Sequence, residues 1–374
     1  MSKLATMGND LHTGRRSFPI VQRGKTWLAV GGTLVLISLL LLAFKGLNAG
    51  IEFRGGSQFT ITGTSTLEQQ PAHDVLNEVG ADQAARISTV GDEALRIQTE
   101  ELTTEQTSEV RAGLAETYDV PVADVASTFI GPSWGEDITR QALQGLGIFI
   151  LLVSVVLSAY FRSWKMAAAA MIALLNDLVL TVGVYALIGW EVTPATVIGL
   201  LTILGYSLYD TVVVFDKIRE NSTGLLEQEE RTYSEAANLA VNQTLIRSVN
   251  TSMTSLLPVG SILFVGALLL GAGTLRDIAL ALFVGMLVST LSSIFIAAPV
   301  QAALHEREDT IKEHTARVLD KRRARAERAA ATSERASAGA EHGTQPAPPV
   351  TGEAVVAGHH RGNVAQPRRK KGRR

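Results

Sequence analysis

The chain has 374 residues, of which 46% are hydrophobic and only 19% are charged, and its mean hydropathy is +0.19. Soluble domains usually carry about 25% charged residues, so this composition indicates a membrane protein. The absence of cysteine excludes disulfides, thiolate metal sites and cysteine nucleophiles. The net charge of −2 says little, because acidic and basic residues are segregated along the chain.

Six apolar blocks are long enough to cross a bilayer, which takes roughly 20 residues. They are Trp27–Phe44, Gln141–Phe161, Met166–Ile188, Ala195–Phe215, Leu245–Leu270 and Ile278–Val300, the last five forming a bundle over residues 141–300. Basic residues precede the first block and follow the second, fourth and sixth. Cytoplasmic loops are enriched in Lys and Arg, so we expect a multi-pass protein with both termini in the cytoplasm.

The basic residues 1–26 and the apolar block after them also fit a cleavable signal peptide. The block is longer than a signal-peptide core, however, and no small-residue cleavage site follows it closely. We therefore expect a basic cytoplasmic N-terminus followed by an uncleaved first spanning helix over residues 27–44.

Residues 45–140 predict a soluble α+β domain on the exported side of the membrane. Segments rich in β-branched residues predict four strands, at Gln58–Thr62, Arg86–Val90, Ala94–Gln98 and Ala126–Ile130, with a hairpin turn at Gly91–Glu93. Helices are predicted over Ala72–Val79 and from a capping box at Thr103 through Tyr118. This order of strands and helices predicts a ferredoxin-like fold.

Residues 301–374 form a charged cytoplasmic tail. A helix is predicted over His305–Arg328, and the Ala-, Gly-, Pro- and Ser-rich sequence beyond it is predicted to be disordered. The chain closes on the basic run Arg368–Arg374. Each cation near an anionic membrane surface contributes about 1 kcal/mol of attraction, so anionic lipid is the expected partner of the tail, and no specific nucleic acid is invoked.

Three charged side chains, Asp177, Asp210 and Arg247, lie well inside the apolar blocks. Such a charge costs about 2.5–3.5 kcal/mol on insertion scales, and residues that persist at this cost usually have a function. Asp210 and Arg247 fall at similar depths on adjacent helices, so an ion pair is geometrically allowed. Helical spacing predicts a polar seam around them, formed by Ser207, Thr211, Gln243 and Asn250.

Two interpretations of this pair stay open. It is either a fixed ion pair that joins two helices, or a site where Asp210 binds and releases a proton while Arg247 modulates its affinity. All seven histidines lie outside the apolar blocks, which leaves Asp210 and Asp177 as the intramembrane groups expected to titrate. Asp177 could equally serve only as a hydrogen-bonding partner of a neighbouring helix.

Several motifs resemble the SecF family, membrane components of the bacterial Sec protein-export machinery. The segments are Gly205–Asn221 in the fourth span, Asn242–Arg247 in the fifth, Leu275–Leu282 and Ser292–Ala297 in the sixth, and Gly50–Gly56 after the first. The likeness covers about residues 25–305. Tyr209 stands where the family commonly has Asn, and Asn176 where a His often precedes the acid, so a histidine-assisted relay cannot operate at 176.

The resemblance implies a bacterial cytoplasmic-membrane protein that works with a SecD-like six-span partner. Together they would use proton flow to assist late steps of preprotein export, after SecA has driven the chain through the SecYEG channel. It further implies a proton relay of Asp210, its coupled counter-charge Arg247, and Asp177. Gly55 and Gly56 would form a flexible or sharply turning link between span and domain, the alternative being an ordinary turn.

No enzyme motif is present in the sequence: there is no nucleotide-binding loop, no metal-ligand spacing and no nucleophile signature, so no cofactor or metal is expected. Two other functions remain as alternatives. One is a proton-coupled transporter of a small solute with Asp210 as the coupling group. The other is a passive scaffold that only stabilises the export channel.

Overall fold

A computed structural model describes residues 9–11, 13–64, 66–82, 85–90, 94–269 and 273–341. Contacts divide the chain into two units, residues 1–319 and 320–374. Within the described residues, six helices are long and apolar enough to cross a membrane, which confirms the predicted number.

The spanning helices extend beyond the apolar blocks at several ends. They are Gly24–Phe44, Pro132–Phe161, Trp164–Ile188, Pro194–Ser222, Tyr233–Ser261 with a π-helical continuation Ile262–Leu269, and a sixth built from Gly273–Ser292, the π-helical Ser293–Ala297 and Ala298–His305. The fifth helix begins at Tyr233 rather than the predicted Leu245, because Thr232 and Glu235 form a capping box. A capping box of Thr193 and Thr196 likewise starts the fourth helix.

The third, fourth and sixth helices form the centre of the bundle. In their most apolar windows 44%, 39% and 44% of the residues are buried, compared with 11% in the first and second helices. Small residues permit the close approach of these helices. A Cβ on Gly199 of the fourth helix would lie 2.8 Å from Ala281 on the sixth, and one on Gly285 would collide with Ile203.

The soluble domain is the predicted ferredoxin-like unit. Its antiparallel sheet contains β2 (Gly56–Thr62), β3 (Arg86–Val90), β4 (Ala94–Thr99) and β5 (Val125–Ile130) in the order β3-β4-β2-β5. Helices Gln70–Glu78 and Thr104–Thr117 pack on one face through a buried core that includes Phe59, Leu76, Ile97 and Leu114. The capping box at Thr103 is confirmed, whereas the turn at Gly91–Glu93 lies outside the described residues.

Two short elements that were not predicted join the domain to the bundle. The strand β1 (Asn48–Ala49) pairs in parallel with β6 (Glu191–Val192), which connects the third and fourth spanning helices. A one-turn helix, Ile51–Arg54, follows β1 and packs against the start of the second spanning helix. The chain leaving the first helix is therefore held to the bundle before it enters the sheet.

The double glycine forms a sharp turn at this junction. Gly55 and Gly56 have φ values of 79° and 129°, in the region that favours glycine. A Cβ on Gly55 would lie 3.0 Å from the Cα of Pro132, and one on Gly56 would collide with the carbonyl oxygen of Thr99. The turn is closely packed on both sides, and a hinge movement at this point stays a prediction.

The C-terminal tail begins with the helix Asp309–Glu341, which continues past the predicted end at Arg328. In its first part Ile311, His314 and Val318 are buried, and the ring Nε2 of His314 lies 2.7 Å from the carbonyl oxygen of Gln228. From Asp320 to Thr332 the side chains of the second unit are exposed. The basic run at residues 368–374 lies outside the described residues.

We expect Gly56→Ala to destabilise the protein by at least about 1 kcal/mol, because it combines an unfavourable φ with a backbone collision. Thermal unfolding in detergent measures the effect. Gly63→Ala is the matched control, since Gly63 has a φ of 71° but no atom within 4 Å of the added Cβ. Equal losses of stability in the two variants would contradict close packing at the double glycine.

Candidate functional site

Asp210 lies on the fourth spanning helix and is only 5% exposed. Its Oδ1 accepts a hydrogen bond of 2.7 Å from Ser248 Oγ on the fifth helix. Its Oδ2 accepts one from Ser293 Oγ, at the start of the π-helical segment of the sixth helix. Hydroxyl groups from two neighbouring helices therefore hold both carboxyl oxygens.

Asp177, on the third helix, is 1% exposed and is held in a similar way. Its Oδ2 accepts a hydrogen bond of 2.5 Å from Ser207 Oγ on the fourth helix. The amide of Asn176 donates to its Oδ1 at 3.3 Å and to Ser292 Oγ at 3.2 Å. The structure thus places Asp177 at a contact between the third, fourth and sixth helices.

The two acids belong to one polar region, which we call the carboxyl cluster: Asp177, Asp210, Asn176, Ser207, Ser248, Ser292 and Ser293. Ser207 and Asp210 lie one turn apart on the fourth helix, so their side chains share a face. Ser292 and Ser293 are neighbours on the sixth helix: Ser292 accepts from Asn176, the partner of Asp177, and Ser293 donates to Asp210. The fourth and sixth helices, which pack closely at Gly199 and Gly285, therefore carry the link between the two sites.

The ion pair between Asp210 and Arg247, which the sequence allowed as one of two interpretations, is not formed in this structure. Arg247 is exposed, and its Nη2 makes a long contact of 3.5 Å with the hydroxyl of Tyr209. Among the described residues no Lys or Arg forms a salt bridge with Asp210 or Asp177. The reason is rotational: successive residues of a helix point about 100° apart, and Ser248 rather than Arg247 faces the carboxyl cluster.

The residues of the predicted polar seam do not lie together: two face the carboxyl cluster and two lie on a different face of the fifth helix. Ser207 and Thr211 are buried beside Asp210, as expected for a seam within the bundle. Gln243 instead accepts a hydrogen bond of 3.0 Å from Asn221, and Asn250 is exposed together with Arg247. The fifth helix thus turns one face, which we call the outward polar face (Gln243, Arg247 and Asn250), away from the carboxyl cluster.

The sequence interpretation missed three hydroxyl groups of the site, those of Ser248, Ser292 and Ser293. A signal was present on the fifth helix, where Ser248 and Ser252 follow an i, i+4 spacing and are both buried. Ser252 accepts a hydrogen bond of 2.8 Å from Thr290, which joins the fifth and sixth helices directly. The π-helical segment at Ser293 is a feature often found at functional sites.

A carboxyl group held by hydroxyl groups can exist in either protonation state. A serine hydroxyl donates to a carboxylate, and after rotation it accepts from a neutral carboxylic acid. A fixed ion pair would oppose protonation, because it would leave a buried cation without a partner. In the described part of the chain no group of three or more His, Cys, Asp or Glu side chains could hold a metal ion.

Comparison with known proteins identifies the family. Residues 110–307 match the model of the C-terminal region of the protein export membrane proteins SecD/SecF, and residues 40–66 match the SecD/SecF GG motif. The protein translocase subunit SecF of Streptomyces coelicolor is 43% identical over 99% of this chain and 100% of its own length. That of Mycobacterium tuberculosis is 40% identical over 83% of this chain and 72% of its own length.

A solved structure agrees with these matches. The crystal structure of SecDF, a translocon-associated membrane protein from Thermus thermophilus, superposes with a TM-score of 0.68 and 32% identity. The match covers 78% of this chain and 39% of the Thermus protein. On the evidence of the motifs, the six spans and these relatives, the chain belongs to the SecD/SecF family as a SecF protein translocase subunit.

Proposed function

We propose that this chain works with a SecD-like six-span partner to couple the proton motive force to late steps of preprotein translocation. The observation that carries the proposal is the carboxyl cluster, in which two buried acids are held by hydroxyl and amide groups and not by a cation. A proton that crosses 100 mV releases about 2.3 kcal/mol, which is enough to bias a conformational equilibrium.

In the proposed cycle Asp210 receives a proton on one carboxyl oxygen, and the serine bound to that oxygen, Ser248 or Ser293, changes from hydrogen-bond donor to acceptor while the other serine keeps donating. Ser248 and Ser293 belong to the fifth and sixth helices, so a change at Asp210 acts directly on the packing of both against the fourth. Asp177 extends the proposed proton relay, because it is bound to Ser207, which lies one helical turn from Asp210. Packed interfaces switch between discrete arrangements, so a small local change can move the attached domain.

The outward polar face supports a partner within the membrane. Arg247 and Asn250 are exposed on this face, and a guanidinium group and an amide facing lipid at this depth would be costly, since such groups normally face protein or water. This chain matches only 39% of the length of the Thermus SecDF protein, which leaves room in that protein for a second half. We infer that a SecD-like half covers Arg247, so that this cation acts across the interface between the two halves.

The remaining partners follow from the family and the charge pattern. We infer a bacterial cytoplasmic-membrane protein with cytoplasmic termini, which puts the ferredoxin-like domain on the exported side with the emerging preprotein. SecYEG would be the channel and SecA the motor that acts before this step. Anionic lipids would attract the basic residues 368–374. No catalytic activity is part of this proposal.

Asp210→Asn should abolish the proton-driven part of export while leaving the protein in the membrane, because Asn keeps the size of the side chain but cannot ionise. The measurement is preprotein translocation into inverted membrane vesicles with and without a proton gradient. Asp216→Asn is the control on the same helix, where the acid lies outside the carboxyl cluster and accepts a 2.6 Å hydrogen bond from Tyr160. Gradient-dependent export at the wild-type rate in Asp210→Asn would refute the proposal. A change in intracellular solute levels would instead favour a solute transporter.

Ser248→Ala should lower gradient-dependent export by about tenfold, since a hydrogen bond to a charged group is worth about 1.5–3 kcal/mol. The same vesicle assay measures the loss. Ser261→Ala is the matched control, because Ser261 is exposed on the same helix and donates only to the carbonyl oxygen of Leu257 at 2.9 Å. If both variants export equally well, the hydroxyl groups do not take part in the transfer.

Arg247→Met should weaken association with the SecD-like partner without reducing the amount of this chain in the membrane. Arg247→Lys should preserve part of the association, since it keeps the positive charge. Co-purification of the two proteins from mild detergent measures the effect. Undiminished co-purification of the methionine variant would show that the outward polar face is not the contact surface.

A further inference from the structure

A second group of charged residues lies where the ferredoxin-like domain meets the bundle, apart from the carboxyl cluster. Glu191 of β6 accepts a hydrogen bond of 3.1 Å from Arg96 Nη1 and one of 2.5 Å from Gln98 Nε2, both on β4. One carboxylate therefore ties the sheet to the loop between the third and fourth spanning helices. We call Glu52, Arg96, Gln98, Glu191 and Asp277 the junction cluster.

Glu52, in the one-turn helix of the Gly50–Gly56 motif, faces Glu191 across Gly50. The position that a Cβ on Gly50 would occupy is 2.9 Å from Glu191 Oε1 and also in contact with Glu52 Oε2. Glycine at this position thus allows the two carboxyl groups to approach each other. The Oε2 atom of Glu52 is buried and has no hydrogen-bond partner among the described residues.

Two acids and one cation act most directly on the carboxyl group of Glu52. Glu191 of β6 and Asp277 of the sixth spanning helix both act on it as like charges, and Arg96 of β4 is the opposing cation. Arg96 is already bound to Glu191, and Asp277 accepts a 3.1 Å hydrogen bond from Thr193. The other cations nearby are Arg54 of its own helix, Arg86 of β3 and Arg276 of the sixth helix, which line the adjoining cavities.

We propose that Glu52 is a second proton-binding residue of this chain, placed against the Glu191–Arg96 ion pair. Glu52 is neutral when the ferredoxin-like domain is docked, that is, held against the bundle as in this structure. As a neutral acid, Glu52 can donate a hydrogen bond to the Glu191 carboxylate after a small side-chain rotation. That bond would satisfy the buried Oε2 atom and remove the repulsion between the two acids. A cavity of about 310 Å³ is lined by Arg96, Glu191 and Asp277 and is large enough to hold water, so a proton can reach the Glu191 side of the proposed hydrogen bond.

The electrostatics agree with this geometry. Burial raises the pKa of Glu52 above its usual value, and the neighbouring Glu191 carboxylate raises the pKa further. A carboxyl group whose pKa is raised in the docked structure binds its proton more tightly there than in free solution. Protonation therefore stabilises docking of the domain below this raised pKa, and the stabilisation is lost as the pH rises through it.

In the orientation proposed above, the junction cluster faces the proton-rich side of the membrane, so high proton activity would hold the domain against the bundle. This effect of proton activity on the exported side rests on the proposed function, whereas the proton-binding site does not. The proton-binding site itself is tested in variants that lack both acids of the carboxyl cluster, Asp177→Asn and Asp210→Asn. Failure of the relay and failure of the junction site are thereby distinguishable.

The test uses Trp190, which adjoins Glu191 and lines the cavity. The full chain, with Trp27, Trp134 and Trp164 replaced by Phe, is placed in lipid nanodiscs and its fluorescence is titrated with pH. We expect the fluorescence of Trp190 to show a transition at a pH above the usual range for Glu.

Glu52→Gln should abolish this transition, and Arg96→Gln should move its midpoint to higher pH because the opposing cation is lost. Glu101→Gln, at an exposed acid after β4, is the matched control and should leave the midpoint unchanged.

A transition that survives Glu52→Gln would overturn the proposal, as would a midpoint that Arg96→Gln does not raise. The second variant keeps Glu52, so the test does not depend on folding of the first. Docking is measured separately by spin labels at Glu78→Cys in the domain and Leu187→Cys in the bundle, in a chain without native cysteine. Distances that broaden above the midpoint support pH-dependent docking, and unchanged distances contradict it.

Discussion

A polar group buried between membrane-spanning helices has no water to solvate it, so the protein itself must supply its hydrogen-bond partners. Asp177 and Asp210 meet this constraint with serine and asparagine side chains from four helices. The helices must approach closely for such short side chains to reach, which explains why glycines lie at their contacts. Close packing at these glycines therefore brings the serine hydroxyl groups within reach of the carboxyl oxygens.

Sequence reasoning succeeded where the signal was local. Six spans follow from the length of the apolar blocks, and the ferredoxin-like order of strands and helices follows from periodicity and a capping box. The start of the fifth helix was missed because its first turns are polar and their capping box at Thr232 was not recognised. Local sequence patterns identify the helices and strands well, but the length of an apolar block underestimates the length of the spanning helix that contains it.

The partner of Asp210 could not be predicted, because it depends on how each helix is rotated about its axis. Arg247 and Ser248 are adjacent in sequence and lie at nearly the same depth, yet only Ser248 faces the acid. The junction elements β1 and β6 escaped prediction for a related reason, since two-residue strands separated by the whole ferredoxin-like domain and two spanning helices carry no periodic signal. In both cases tertiary packing decides the contact.

The chain presents two unlike surfaces of the fifth helix, an inner face with hydroxyl groups and an outer face with a cation. The inner face explains how a proton could be held without a fixed charge. The outer face explains why this chain would need a second membrane protein. At the far end of the bundle, the junction cluster gives the domain its own titratable contact, so charge could control both ends of the same helices.

The most direct measurement is infrared difference spectroscopy of the assembled complex in lipid, with ¹³C-labelled aspartate and an imposed pH gradient. The account predicts a band of protonated aspartic acid that appears and disappears during turnover and is lost in Asp210→Asn. A carboxyl signal that stays constant throughout preprotein export would contradict it, because Asp210 would then have a single, fixed ionisation state.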